Sequence, residues 1–174
     1  GSERLSDYVD WDDRKSCILL ADGAGAGVVS PADTDGIGPV VWGHDGSRPE
    51  AILVPGYGDN VFRMDGPAVY RWAVSLAPVL RRACQVAGIR PDELAGFVSH
   101  QANLRIVEAL AKSLGAPGAA VARDVVDMGN TSSASVPLGL ATLVERGELR
   151  RGDPVLLFAF GAGLTYAGQV VRCP

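Results

Sequence analysis

The spacing of apolar residues divides the chain near Pro67. On its N-terminal side, residues 16–21 and 37–42 are short apolar runs bounded by Gly, Pro and Asp, a pattern typical of buried strands. Residues 1–15 and 45–66 have no hydrophobic period, so we expect both to be loops. A loop as long as the second usually has a function of its own or is mobile.

From Pro67 onward, short apolar runs alternate with segments in which apolar residues recur every three or four positions. This pattern predicts helices over 67–87, 104–114 and 131–146, and strands over 94–99, 120–126, 155–160 and 164–172. The alternation predicts a layered α/β domain with a mostly parallel sheet. Because a short glycine turn joins the last two strands, we expect them to form an antiparallel hairpin at one edge.

Individual residues mark where these helices begin, bend and end. Pro78 predicts a kink in the first helix. Asn103 is placed to cap the second helix and Gly115 to end it. The third helix begins with small residues and has no charged side chain before Glu145, so we expect it to be buried on most sides.

The two strands before Pro67 do not fit this alternation. We expect residues 16–44 to close a preceding structural unit and residues 67–174 to form a unit of their own. Gly1-Ser2, with no initiator methionine, is interpreted as a cloning remnant, and the 174 residues are expected to be a piece of a longer protein.

Composition excludes several classes of function. Sixteen Lys and Arg against twenty Asp and Glu leave a net charge of −4, which argues against a nucleic-acid groove. Hydrophobic residues make up 47% of the chain, too many for a disordered segment, but no apolar run is long enough to cross a bilayer. The three cysteines lack metal-binding or CxxC spacing, so we interpret them as structural thiols of a cytoplasmic protein.

Polar residues that the fold does not require follow two predicted strands, at 99–103 and 128–132. Since ligands bind beyond the carboxyl ends of parallel strands, we expect His100 and Asn130 to lie close together. A neutral imidazole and an amide both donate hydrogen bonds, and two converging donors suit a developing enolate or tetrahedral alkoxide. The N-terminus of the following helix disfavours a positive charge on His100. A structural alternative stays open, in which Asn103 only caps the helix and the backbone satisfies His100.

Two glycine-rich segments, 23–27 and 161–163, are weaker candidates for a binding site. Each leads into β-like sequence, whereas a dinucleotide phosphate site requires the N-terminus of a helix there. We expect these glycines to serve tight turns and close approaches of the backbone.

Five motifs in order carry a family resemblance. They are Asp22-Gly23-Ala24-Gly25-Ala26, Met64-Asp65-Gly66, His100-Gln101-Ala102-Asn103-Leu104-Arg105-Ile106, Gly129-Asn130-Thr131-Ser132 and Phe160-Gly161-Ala162-Gly163-Leu164. Together they resemble the C-terminal half of a β-ketoacyl-acyl carrier protein synthase III, a condensing enzyme of the thiolase-fold superfamily. The resemblance implies α-β-α layers around a mixed, mostly parallel sheet. It makes 16–44 the closing strands of an N-terminal repeat, 45–66 a loop and 67–174 the C-terminal repeat.

The resemblance also implies an activity. Enzymes of this family join an acyl group from coenzyme A to malonyl-acyl carrier protein, with loss of carbon dioxide and without a metal or other cofactor. By position, His100 and Asn130 bind the malonyl thioester carbonyl and stabilise the enolate. Asn103 supports this arrangement and approaches the pantetheine arm, and Gly66 and Ala102 line the pantetheine channel.

The resemblance further implies partners. Arg71, Arg105 and Lys112 match or lie near a basic surface that receives the acidic carrier protein; the alternative for each is an ordinary solvated helix face. The other implied partners are acyl-coenzyme A, the N-terminal half of the same enzyme and a second copy of it in a homodimer.

Two departures from the family pattern leave alternatives open. Ser99 stands where the family usually has proline, and the family's nucleophilic cysteine belongs to the N-terminal half, so no residue here matches it. One alternative is a related acyltransferase that forms an ester or amide without decarboxylation, with Tyr57 in the long loop adapting to the acceptor. Another is a non-catalytic fragment or carrier-binding module.

Overall fold

The computed structural model describes residues 1–14, 16–56, 58 and 60–174. Its helices are α1 (Gly66–Ser75), α2 (Ala77–Val86), α3 (Leu104–Leu114), α4 (Val125–Met128) and α5 (Ser135–Glu145). Its strands are β1 (Ser2–Glu3), β2 (Gly23–Ala24), β3 (Ile37–His44), β4 (Ile52–Leu53), β5 (Arg63–Met64), β6 (Gly96–Ser99), β7 (Ala120–Val121), β8 (Pro154–Gly161) and β9 (Thr165–Arg172). In this described part of the chain, no helix combines the length and apolarity needed to cross a membrane.

Five strands of the described chain form the central sheet, in the order β3-β9-β8-β6-β7. The strands β8, β6 and β7 are parallel, while β9 runs antiparallel to both β8 and β3, so four strands point the same way. The predicted α/β fold with a mixed, mostly parallel sheet is confirmed. The predicted hairpin exists, but it does not lie at an edge, because β3 pairs with the outer side of β9. The same pairing joins the strand predicted at 37–42 to this sheet, and its assignment to a preceding unit stays a prediction.

Helices cover both faces of this sheet. Phe97 of β6 and Phe158 of β8 belong to the core that α1, α2 and α3 close. The neighbouring residues Val98 and Val155 belong to a second core, which Leu143 of α5 closes. Successive strand residues point to opposite faces, so strands covered on both sides have nearly continuous apolar sequences.

The helix boundaries follow the signals in the sequence. The predicted kink is a break at Leu76, and Pro78 lies in the first turn of α2, where its missing N–H is tolerated. Asn103 caps α3, its Oδ1 accepting from the N–H of Arg105 at 2.8 Å, and Gly115 ends the helix at a φ of +74°.

The burial predicted for α5 is complete on one face of the helix and partial on much of the rest. Ser135, Gly139 and Leu143 are buried against the sheet side, but Ala141 and Val144 are exposed. The helix thus packs on the sheet through its buried face, and Pro137 of the same helix also lies close to Gly25.

Residues 16–21 do not form the predicted strand. Residues 16–19 lie in turns, Ile18 is 77% exposed, and Leu20 makes a single parallel bridge to Asn130. A strand needs backbone partners along its length, and within the described residues the strand-like partner of this apolar run is Asn130 alone, which bonds to Leu19 and Ala21 on either side of Leu20.

The strand predicted over 120–126 is also shorter than expected. It ends at Val121, and the chain then turns into α4, with the N–H of Met128 donating to the carbonyl of Asp124 at 2.7 Å. The N–H of Val125 donates to the side chain of Gln101 at 3.2 Å instead of to a strand. Apolar β-branched residues alone could not reveal this change of direction.

The first residues of the chain take part in the fold. The strand β1 pairs with β2, and the amino group of Gly1 donates to the carbonyl of Gly25 at 3.0 Å. The interpretation of Gly1-Ser2 as a cloning remnant stays a prediction. A Cβ on Gly23 would lie 2.9 Å from Thr131, and one on Gly25 would lie 2.6 Å from Pro137. At these two glycines the predicted close backbone approach is confirmed.

Candidate active site

His100 and Asn130, which the sequence predicts to act as a pair of hydrogen-bond donors, line the same cavity of about 880 Å³. His100 follows β6 directly, and Asn130 follows α4 after Gly129. Both line the cavity, together with Ala102. The expected proximity of the two loops is thus present in the structure.

The sheet and an aromatic ring fix the position of His100. Its backbone N–H donates to the carbonyl of Phe158 at 2.7 Å, which continues the β6–β8 ladder by one residue. Its imidazole meets the ring of Phe160 edge-on, with the centroids 5.2 Å apart and the planes at 72°. Ring Nδ1 lies 2.7 Å from Oγ of Ser135, so Nε2 is the nitrogen left to meet a ligand.

The imidazole of His100 is neutral at physiological pH. Burial lowers its pKa from 6.5 to about 4, outweighing the backbone of Ser132 and the carboxylate of Glu3, which both favour the charged form. The sequence argument predicted a neutral ring from the dipole of the following helix, but burial is the main cause in the structure.

Asn130 is held through its backbone as well as its side chain. Its N–H donates to the carbonyl of Leu19 at 3.0 Å, and its carbonyl accepts from the N–H of Ala21 at 2.9 Å. Side-chain Oδ1 accepts from the N–H of Ser132 at 2.9 Å. Because Oδ1 is engaged, Nδ2 is the atom that the amide can offer to a ligand as a donor.

Buried Gln101 connects the His100 loop to the neighbouring elements. Its Nε2 donates to the carbonyls of Ser99 at 2.8 Å and Ala122 at 3.1 Å, and its Oε1 accepts from Val125. A fully satisfied amide at a position 1% exposed makes this loop rigid. Sequence reasoning assigned no such role to Gln101.

Two of the other site residues predicted from the resemblance lie beside the cavity rather than in its wall. Gly66 begins α1 next to the cavity-lining Met64, and Asn103 caps α3. The capping role considered for Asn103 is confirmed, whereas its contact with a pantetheine arm stays a prediction. Tyr57 lies outside the described residues.

The three basic residues predicted to contact a carrier protein lie on two helices that pack together. Arg71 is on α1, and Arg105 and Lys112 are on α3; all three are exposed. Their exposure leaves them accessible to a partner of opposite charge.

Several of the cavity-lining residues were not assigned to the site from the sequence. They include Trp42, Met64, Ser132, Ser133 and Phe160. Met64, Ser132 and Phe160 lie in motifs that pointed to the family, but Trp42 of β3 and Ser133 carried no signal of their own.

The cysteines do not supply a nucleophile at this site. Burial raises the thiol pKa of Cys84, and burial together with Asp153 raises that of Cys173. Both thiols therefore stay protonated at neutral pH, and Cys17 is not among the cavity residues. Across residues 1–14, 16–56, 58 and 60–174, no group of three His, Cys, Asp or Glu side chains is arranged to hold a metal ion.

Two protein-family models match this chain, and both describe the same kind of synthase. Residues 84–173 match the model of the 3-oxoacyl-[acyl-carrier-protein] synthase III C-terminal family, and residues 1–46 match that of 3-oxoacyl-[acyl-carrier-protein] synthase III. The second match includes Gly1-Ser2 and agrees with their place in the fold.

Individual relatives agree with these matches. The whole chain is 53% identical to β-ketoacyl-[acyl-carrier-protein] synthase III 4 of Streptomyces coelicolor and 47% identical to the mycobacterial synthase III of Mycobacterium avium, covering 56% of each. It superposes with a TM-score of 0.96 on the crystal structure of the priming β-ketosynthase from the R1128 polyketide pathway, at 45% identity, covering 99% of this chain and 55% of that one. The chain thus spans about half the length of the relatives it matches. It belongs to the 3-oxoacyl-[acyl-carrier-protein] synthase III family.

Proposed function

We propose that this chain carries the decarboxylation half of a condensing enzyme, which joins an acyl group from acyl-coenzyme A to malonyl-acyl carrier protein. The observation that carries the proposal is the pairing of a neutral imidazole, that of His100, with the amide of Asn130 at one cavity. Relatives named β-ketoacyl-[acyl-carrier-protein] synthase III support it.

The donors would act on the malonyl thioester. As the bond between its carboxylate carbon and its methylene carbon breaks, carbon dioxide leaves and the electron pair moves toward the thioester oxygen. Nε2–H of His100 and Nδ2–H of Asn130 would hold the enolate oxygen. Fixed donors aimed at such a charge are each worth a factor of about 10²–10³ in rate.

The enolate carbon then attacks a second thioester. We propose that a cysteine of the N-terminal half holds the acyl group, so that its thiolate leaves as the new carbon–carbon bond forms. The product is a β-ketoacyl group on the carrier protein. A neutral His100 suits this sequence of steps because it donates a hydrogen bond without bringing a charge into the cavity.

The remaining assignments concern binding. Asn103, Gly66 and Ala102 would flank the pantetheine arm, and the exposed Arg71, Arg105 and Lys112 would attract the acidic carrier protein. A homodimer in the cytoplasm, with no metal or other cofactor, completes the proposal. Unpaired Cys17, Cys84 and Cys173 are compatible with a reducing compartment.

A chimera tests the proposal directly. It joins this chain to the N-terminal half of the Streptomyces coelicolor relative and is assayed for β-ketoacyl product and carbon dioxide, with acyl-coenzyme A and malonyl-acyl carrier protein. The proposal predicts equal amounts of both. Acyl transfer to an alcohol or amine without carbon dioxide would favour the ester- or amide-forming alternative. A folded chimera that binds the carrier protein but never turns over would favour the non-catalytic alternative.

A further inference from the structure

The hydroxyl of Ser135 lies at the centre of the hydrogen bonds around His100. Its Oγ is 2.7 Å from Nδ1 of His100, 2.7 Å from the carbonyl of Ser132 and 3.2 Å from the N–H of Gln101. The residue is 1% exposed, so water does not replace these partners. Ser135 therefore controls what Nδ1 of the histidine can do.

Counting protons decides the direction of each bond. A carbonyl only accepts, and a hydroxyl has one proton, so the bond to Ser132 uses the proton of Ser135. Its lone pairs then accept from Gln101 and from His100. For His100 to be the donor, Nδ1 must carry its proton, which leaves Nε2 of the neutral ring unprotonated.

The opposite arrangement makes fewer hydrogen bonds in the free protein. If the hydroxyl of Ser135 turned toward Nδ1 of His100, its bond to Ser132 would be lost. The carbonyl of Ser132 would keep one donor, the backbone N–H of Ser135, so the turn would leave no buried acceptor without a partner. The two arrangements thus differ by one hydrogen bond.

We infer that Ser135 is a positioning residue that selects the tautomer of His100, holding Nδ1–H in the free chain and permitting Nε2–H when a thioester carbonyl needs a donor. The Nε2–H state with a bound thioester rests on the proposed function, whereas the Nδ1–H state of the free chain does not. Exchange takes one proton off Nδ1 and places one on Nε2 through solvent in the cavity, so the ring stays neutral. A ligand oxygen at Nε2 supplies the bond that the turned hydroxyl gives up.

The charged surroundings of the ring do not decide the tautomer. Glu3 is the charged group that acts on His100 among the described residues, and its carboxylate accepts from the N–H and hydroxyl of Ser133. The ring nitrogen that Ser135 faces is Nδ1. The backbone of Ser132 and the carboxylate of Glu3 both raise the basicity of the ring, but the Ser135 hydroxyl lies 2.7 Å from Nδ1, so we expect the tautomer to follow that hydroxyl.

Nitrogen-15 NMR of the 174-residue chain tests this inference without any assay of activity. The chain has two histidines, and His44→Gln leaves the signals of His100 alone. At pH 7 we expect the Nδ1–H pattern in the wild type and a shift toward Nε2–H in Ser135→Ala. Ser135→Thr, which keeps a hydroxyl, should restore Nδ1–H.

Ser75→Ala is the matched control. Its hydroxyl also donates to a carbonyl three residues earlier, that of Trp72 at 2.6 Å, but it faces no histidine, so the tautomer should not change. An Nε2–H signal in the wild type overturns the inference, even if Ser135→Ala fails to fold. An unchanged tautomer in folded Ser135→Ala overturns it as well. Nδ1–H in the wild type together with an inactive chimera would contradict the proposed function alone.

Discussion

Leu20 and Asn130 form a parallel bridge that ties the N-terminal part of the chain to the candidate site. The N–H of Asn130 donates to the residue before Leu20, and the carbonyl of Asn130 accepts from the residue after it, at 3.0 and 2.9 Å. Leu20 lies in the segment that matches one family model, and Asn130 in the segment that matches the other. The position of the proposed donor thus depends on both segments.

Ala21→Pro should loosen this bridge. Proline has no N–H to donate to the carbonyl of Asn130, so we expect the free energy of unfolding in urea to fall by about 1–3 kcal/mol. Ala21→Gly keeps the N–H and is the control for loss of the methyl group. Faster hydrogen exchange at the Asn130 amide in the proline variant, but not in the glycine variant, would localise the effect. Equal stability of the two variants would contradict it.

The stability of the protein should depend on pH through His100. Its folded pKa of about 4 lies below its ordinary value of 6.5, so the unfolded chain binds a proton more readily between these values. The free energy of unfolding should therefore fall as the pH drops from 6.5 to 4, by up to about 3 kcal/mol.

His100→Gln is the comparison for this titration. Asp22 and Asp45 have lowered pKa values and lose their own stabilising bonds at acid pH, in both proteins alike. The difference between wild type and variant isolates His100. The same slope of stability against pH from 6.5 to 4 in both proteins would contradict the burial of a neutral imidazole.

Gly139 keeps α5 close to the sheet. A Cβ there would lie 3.1 Å from Cβ of Ala122 and from Cγ1 of Val98, and the first of these is fixed to the backbone. Overpacking of this kind costs about 1–3 kcal/mol, against a gain of up to about 1 kcal/mol in helix propensity. We expect Gly139→Ala to be less stable in urea unfolding, and Gly118→Ala, where the space is open, to be nearly unchanged. A stabilised Gly139→Ala would show that the helix can move away freely.

Charge reversal should weaken carrier-protein binding. The double variant Arg71→Glu, Arg105→Glu replaces two exposed cations on adjacent helices with acids. By surface plasmon resonance with the chimera, we expect a loss in affinity of about tenfold or more at low salt, shrinking as salt screens the charges. Arg151→Glu is the control, since it lies before β8, at the opposite end of that strand from the candidate site. Equal effects of the double variant and the control would argue against a specific basic surface.

Local signals and long-range partners explain which features could be predicted. Helix α3 was predictable because its apolar spacing, Asn103 cap and Gly115 stop all lie within a few residues of one another. The run at 16–21 looked like a strand, but strand formation depends on neighbours that the run does not encode.

The candidate site shows the same division. His100 and Asn130 stood out as polar residues at strand-to-helix junctions and as family motifs, so their meeting at one cavity could be anticipated. Ser135 could not, because its contact with Nδ1 of His100 joins residues 35 positions apart. A serine at the start of a helix has an ordinary local explanation, which hid its place beside the imidazole.

Decarboxylation of malonyl-acyl carrier protein by variants of the chimera tests the central claim most directly. Carbon dioxide release is measured for His100→Ala and Asn130→Ala, with the exposed His44→Ala as the control. The account predicts that each site variant loses about 10²–10³ in rate while remaining folded, and that the control keeps the wild-type rate. Release at the wild-type rate in either folded site variant would contradict the role of that residue as a donor to the enolate.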